Sequence, residues 1–130
     1  MRVFVLDHTA LTALGTGNQV LARLLYGTPR DAGGVVTALH RGPRMLAPVL
    51  CLLHAGRQRS HLAEHVAELE PLHIAPFDTT AVVALCGPLA DMTPHTGHAV
   101  HTAVRHDASI ITTDPDTYPE SIRTITLPTT

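Results

Sequence analysis

Two short apolar runs that lead into aspartates constrain this chain more than any other feature. Val3-Phe4-Val5-Leu6 runs directly into Asp7, and Ser109-Ile110-Ile111-Thr112 leads through Thr113 to Asp114. Apolar, β-branched runs of this length are what strands buried on both faces of a parallel sheet look like. If both strands lie in one sheet, both carboxylates emerge at its carboxyl edge, where open α/β sheets place their ligands. Two carboxylates meeting there repel each other unless a cation or a proton lies between them. A divalent-metal site is therefore the first expectation. The competing reading is local: a strand-end aspartate caps the helix or turn that follows, and Asp114-Pro115-Asp116 forms a turn by itself.

The 130 residues read as one domain, 1–130, large enough to bury a core without disulfides. Aromatic side chains are confined to Phe4, Tyr26, Phe77 and Tyr118, so the apolar content comes from Ala, Leu and Val. That mixture suits helices packed closely on a sheet and lacks the stacking platforms of single-strand nucleic-acid binders. Lysine is absent, which excludes a Walker A phosphate loop and Schiff-base chemistry. A net charge of −2 leaves nucleic-acid contact to local arginines such as Arg41, Arg44, Arg57 and Arg59. Cys51 and Cys86 both read as buried thiols, and two isolated cysteines suit a reducing cytoplasm. The apolar run before Asp7 is too short for a signal peptide, and no stretch approaches the roughly 18 apolar residues of a membrane span.

Periodicity and caps predict strands alternating with helices. After the first strand, His8-Thr9 opens a helix to Leu14. Asn18 caps a second helix with Val20, Leu21, Leu24 and Leu25 inward. A loop over Tyr26–Gly34 and a short helix over Val35–His40, closed by Gly42-Pro43, lead to a strand at Met45–Val49 and a helix at Leu50–Arg57. Ser60 caps a helix to Glu70, Leu72–Pro76 is a strand, and Asp78 or Thr79 caps a helix to about Leu89. A turn over Asp91–Thr96 places Thr96 to cap Gly97–His106, with Val100 and Val104 inward and His101, Arg105 and His106 toward water. Strands at Ser109–Thr112 and Thr124–Leu127 close the chain. Such alternation implies a parallel α/β sheet with right-handed crossovers.

With the elements in place, Val3-Phe4-Val5-Leu6-Asp7-His8-Thr9-Ala10-Leu11 resembles the opening strand and first acid of PIN domains, including the toxin ribonucleases of toxin–antitoxin pairs. Ile110-Ile111-Thr112-Thr113-Asp114-Pro115-Asp116 resembles their closing Thr-x-Asp-Pro motif, and Met45–Ala55 resembles their second strand and following helix. The resemblance implies a three-layer α/β/α sandwich with a mostly parallel central sheet. It also implies a ribonuclease whose four acidic residues hold Mg²⁺ or Mn²⁺ to activate a water, an antitoxin-like protein and RNA as partners, and a homodimer. Carried over residue by residue, Asp7 and Asp114 are the catalytic metal ligands, Asp116 is an auxiliary ligand, and Thr9 is the hydroxyl residue beside the first acid.

The two middle acids are replaced: His54 stands at one position and Thr96 at the other. Weak Mg²⁺ or Mn²⁺ binding follows, with Mn²⁺ or Zn²⁺ the better match if His54 is a ligand. The alternative function is an inactive PIN-like module that binds a protein or RNA.

Ten histidines are unusual for this length. His95, His98 and His101 recur every three residues, and His98 lies within a turn of Thr96, so it joins Thr9, His54 and Thr96 as a candidate pocket residue. His61-Leu62-Ala63-Glu64-His65 spells the H-x-x-E-H of inverzincin peptidases, but its polar stripe opposite Leu62, Val66 and Leu69 is how a solvated helix face looks. Gly15-Thr16-Gly17 follows a helix rather than a strand and is no dinucleotide fingerprint.

Overall fold

A computed structural model describes residues 2–26 and 44–127. In chain order the elements are β1 (Val3–Leu6), α1 (His8–Gly15), α2 (Gln19–Tyr26), β2 (Arg44–Pro48), α3 (Val49–Gln58), α4 (Leu62–Ala67), β3 (Leu72–Ala75), α5 (Thr79–Cys86), α6 (Pro94–His106), β4 (Ser109–Thr112), a 3-10 turn (Pro115–Thr117) and β5 (Thr124–Thr126). The expected helix over Val35–His40 and most of the preceding loop lie outside the described residues.

All strand pairs are parallel, and the sheet order is β3-β2-β1-β4-β5. Val5, Leu6, Met45, Ala47, Ile110 and Ile111 have no exposed surface, the burial a sheet covered by helices on both faces imposes. Each large apolar side chain so buried stabilises the fold by about 1.5–3 kcal/mol. From β1 the chain steps outward to β2 and β3, then returns across β1 to β4 and β5. The reversal falls between β1 and β4, whose register pairs Leu6 with Ile111. That is the topological switch point, where an α/β sheet opens a crevice at its carboxyl ends. Asp7 and Asp114 flank it.

The local chemistry departs from expectation in several places. Asp7 itself caps α1, so the helix starts one residue earlier than a His8-Thr9 cap requires. Asn18 caps α2 as expected, accepting from the Leu21 N–H at 3.1 Å. α4 begins at Leu62 after His61 in the left-handed region (φ 67°) rather than from a Ser60 cap, and it ends at Ala67. Asp78 caps α5, which stops at Cys86 instead of near Leu89. α6 opens at Pro94 with Thr93 as its cap, because proline is pre-set for the first helical turn. Thr96 therefore lies inside the helix. Val104 is 66% exposed where it was expected inward, and Cys86 is exposed while Cys51 is buried. Gly15 lets α1 approach α4 closely, since a Cβ there would displace the Leu62 side chain. Among the described residues, no helix is long and apolar enough to cross a membrane.

Candidate functional site

Asp7 leaves β1 at the switch point with its side chain 1% exposed. Both of its oxygens are engaged. Oδ1 accepts from the Ala10 N–H at 3.0 Å, which caps α1, and from the Thr9 hydroxyl at 2.6 Å. Oδ2 accepts from the Tyr118 hydroxyl at 2.6 Å. Burial first, then the Asp7 charge and hydrogen bond, push the Tyr118 phenol far up, so it stays protonated and donates. Thr9 spends its proton on Asp7, so its oxygen accepts from the Thr112 hydroxyl at 3.1 Å and from the Thr113 N–H at 3.0 Å. Thr112 in turn accepts from the Asp114 N–H at 3.0 Å. A directed chain of hydrogen bonds thus runs from the Asp114 backbone to the Asp7 carboxylate and sews the ends of β4 and β1 together. A fully satisfied buried network of this kind fixes geometry, and leaving one member unpaired is costly.

Asp114 differs. It is exposed, and its Oδ2 accepts from the Thr117 hydroxyl at 3.0 Å across the turn. Asp116 is exposed within that 3-10 turn. Thr96 is 6% exposed, and its hydroxyl oxygen accepts from the Thr93 hydroxyl at 2.9 Å. His98 has no exposed surface; its Nδ1 accepts from the Leu50 N–H at 3.3 Å, and its Nε2 then carries the proton toward the Pro76 carbonyl at 3.2 Å. Phe77 meets that ring edge-on at 5.1 Å. Both nitrogens of His98 are thus used to tie the carboxyl ends of β2 and β3 to α6, beneath the rim.

His54 does reach the rim, and it meets two histidines that the sequence reading did not assign to the site. Its ring stacks on His95 at 3.8 Å between centroids, 19° from parallel. His8 stands edge-on to both, at 4.9 Å from His54 and 4.4 Å from His95. The Gln58 amide holds His54 Nε2 at 3.0 Å, and the Thr93 hydroxyl lies 3.4 Å from His95 Nε2. Cys51 Sγ–H donates to the His95 carbonyl at 3.2 Å, and burial pushes that thiol well up. Burial, aided by His8 and His54 and opposed by Asp7, brings the His95 pKa down to about 4. Burial also lowers His8, with Asp7 and Asp114 pulling the other way and His54 adding to the fall. Both rings are neutral at pH 7.

An open cleft of about 1100 Å³ borders the cluster, with His8, Thr9, His54 and Thr113 on one side and the α1–α2 junction at Thr16–Val20 on the other. Of the predicted residues, the structure gathers Thr9 and His54 at this cleft and sets Asp7 beneath Thr9. It leaves His98 inside the core. The sequence reading missed Tyr118, Thr112, His8 and His95. Only Tyr118 carried a signal, as one of few aromatics and just past the Asp114 turn.

A four-carboxylate Mg²⁺ centre does not fit these residues. Mg²⁺ demands oxygen ligands in a near-octahedral set. Here one carboxylate is enclosed by three donors, two are exposed on a turn, and the remaining positions offer an imidazole and a hydroxyl already hydrogen-bonded to Thr93.

No protein-family model and no curated protein matches the sequence. Among solved structures, the chain is similar to a toxin–antitoxin complex from Klebsiella pneumoniae, with a TM-score of 0.60 and 14% identity over 97% of both chains. It is similar also to DNA-bound VapBC from Salmonella typhimurium, with a TM-score of 0.60 and 16% identity over 97% of this chain and 98% of that one. The likeness is one of fold: a PIN-like three-layer α/β/α sandwich around a parallel sheet.

Proposed function

We propose that this chain is a PIN-like module of toxin–antitoxin type that binds an antitoxin-like protein and has lost Mg²⁺-dependent RNA cleavage. One observation carries the loss: both oxygens of Asp7, the acid the resemblance makes the first metal ligand, are used within the fold. The partner class rests on neighbours that are themselves toxin–antitoxin complexes matched over nearly their whole length. Val82 and Val83 on α5 and Val104 on α6 add exposed apolar surface that a protein partner would cover. A homodimer is the assembly the family resemblance implies, and the two isolated cysteines suit a reducing cytoplasm.

A second reading, a ribonuclease working with a metal other than Mg²⁺, is favoured by the three histidines that converge beside an open cleft, with the Asp114 charge acting on His8. Incubating the chain with mixed RNA in Mg²⁺, Mn²⁺ or Zn²⁺ separates the two. The first reading expects negligible cleavage in every ion and no difference between the unmodified chain and Asp7→Asn. Cleavage in Mn²⁺ or Zn²⁺ that Asp114→Asn abolishes would select the second. The double change His54→Glu with Thr96→Asp restores the acid count the resemblance implies, and a gain of Mg²⁺-dependent cleavage in it would show a scaffold that lost its chemistry by substitution.

A further inference from the structure

Three imidazoles from three separate helices converge at the carboxyl edge. His8 comes from α1, His54 from α3 and His95 from α6, and one nitrogen of each lies within 4.8 Å of the others. We propose that His8, His54 and His95 form a binding site for one divalent transition-metal ion of the Zn²⁺ type, with Co²⁺ and Ni²⁺ as congeners. The inference goes beyond the proposed function and stands whichever way the RNA assay falls.

Imidazole nitrogens suit borderline ions such as Zn²⁺ and leave Mg²⁺ unserved, and three such ligands with an open fourth position are a recurrent zinc arrangement. Zn–N bonds of about 2.0–2.1 Å require the three nitrogens to draw somewhat closer. His54 is half-buried on the cleft side of α3 and has room to turn. His8 supplies an independent sign of a missing partner. Its Nδ1 is buried with no hydrogen bond among the described residues, which is rare in a native fold. The contacts of Gln58 with His54 and of Thr93 with His95 are the kind that orient metal-bound rings through the nitrogen the metal does not use. Burial keeps His8 and His95 in the neutral form that binds metal. The Asp7 and Asp114 carboxylates lie near enough to His8 to favour a cation there. Cys51 is no ligand, because its thiol proton is committed to the His95 carbonyl. His61 and His65 are exposed on α4 and its approach, with Glu64 at 3.6 Å from His61, so this pair serves as a control.

The test is calorimetric titration of the tag-free full chain with ZnCl₂ and MgCl₂, paired with the visible absorption of bound Co²⁺. The expected result is one Zn²⁺ per chain, bound far more tightly than Mg²⁺, and an intense Co²⁺ spectrum of low coordination number. His54→Gln and His95→Gln should each weaken Zn²⁺ by more than the ~10–100-fold that loss of an outer contact costs, and Gln58→Ala should fall within that range. His65→Ala should leave the isotherm unchanged. Far-ultraviolet circular dichroism confirms that the variants fold; His54→Gln, at a half-exposed helix position, keeps volume and polarity. Zn²⁺ binding that survives His54→Gln, or that His65→Ala removes, would overturn the proposal. So would a weak six-coordinate Co²⁺ spectrum. Mg²⁺-dependent RNA cleavage would sink the proposed function without touching this result.

Discussion

Replacing Asp7 by alanine distinguishes a structural carboxylate from a metal ligand by the sign of its effect on stability. The substitution removes the cap of α1, which costs about 0.5–2 kcal/mol. It also strands the buried Tyr118 hydroxyl and the Thr9 proton, and a buried donor left unpaired costs about 1–3 kcal/mol. These terms share one network and do not simply add, so a loss of about 3 kcal/mol is expected. For a chain of this size that corresponds to a fall in Tm of roughly 10 °C. Urea unfolding followed by circular dichroism gives the value, with Cm lowered and m unchanged. Tyr118→Phe removes one charge-assisted hydrogen bond to the same carboxylate and should cost about 1.5–3 kcal/mol. In Asp7→Ala the Tyr118→Phe change should cost much less, since its partner is already gone. An acid held at a functional site under mutual repulsion behaves oppositely, because its removal relieves strain. A neutral or stabilising Asp7→Ala would refute the structural assignment of Asp7.

Other consequences follow from the same contacts. Thr9→Val should cost about 1–3 kcal/mol in urea unfolding, since it leaves the Thr113 N–H and the Thr112 hydroxyl without their acceptor and removes one of the two donors to Asp7 Oδ1, whereas Thr9→Ser should be mild. His98→Leu should destabilise by a similar amount through the orphaned Leu50 N–H and Pro76 carbonyl, and an unchanged Cm would show that those bonds contribute nothing. The folded pKa values of His8, His95, His98 and His106 all lie below the ordinary histidine value of 6.5, so the unfolded chain binds more protons in acid. Stability is then full above pH 6.5 and falls as pH drops toward about 4, the value for His95. Thermal melts across that window should show the fall, and His95→Gln should make it shallower. A thiol reagent should modify the exposed Cys86 in the native protein and reach the buried Cys51 only after denaturation; two fast thiols would contradict the packing of α3.

The parallel sheet was legible because buried strands write themselves as short apolar runs. Val3–Leu6 and Ser109–Thr112 needed no tertiary information to be found, and their pairing puts both aspartates at one edge. The role of Asp7 was harder to read. Whether a strand-end carboxylate caps a helix or waits for a metal depends on partners distant in sequence, here Tyr118. The histidine cluster was illegible for the same reason, since its rings come from three helices that only the fold assembles. Reading a three-residue spacing in His95, His98 and His101 grouped residues that the structure separates: His95 lies at the rim and His98 in the core. The start of α6 was within reach, because Pro94 favours the first helical turn and so makes Thr93 the cap rather than Thr96. Cys86 and Val104 were misplaced because an apolar residue in an apolar run need not face the core: Cys86 is the last residue of α5, and Val104 lies in the final turn of α6.

Calorimetric titration of the unmodified chain with Mg²⁺ tests most directly whether this edge lacks the carboxylate centre that the family resemblance implies. With Asp7 enclosed and an imidazole and a hydroxyl at the middle positions, binding should be on the order of millimolar or weaker. Micromolar Mg²⁺ binding, abolished by Asp7→Asn, would contradict the account at its centre.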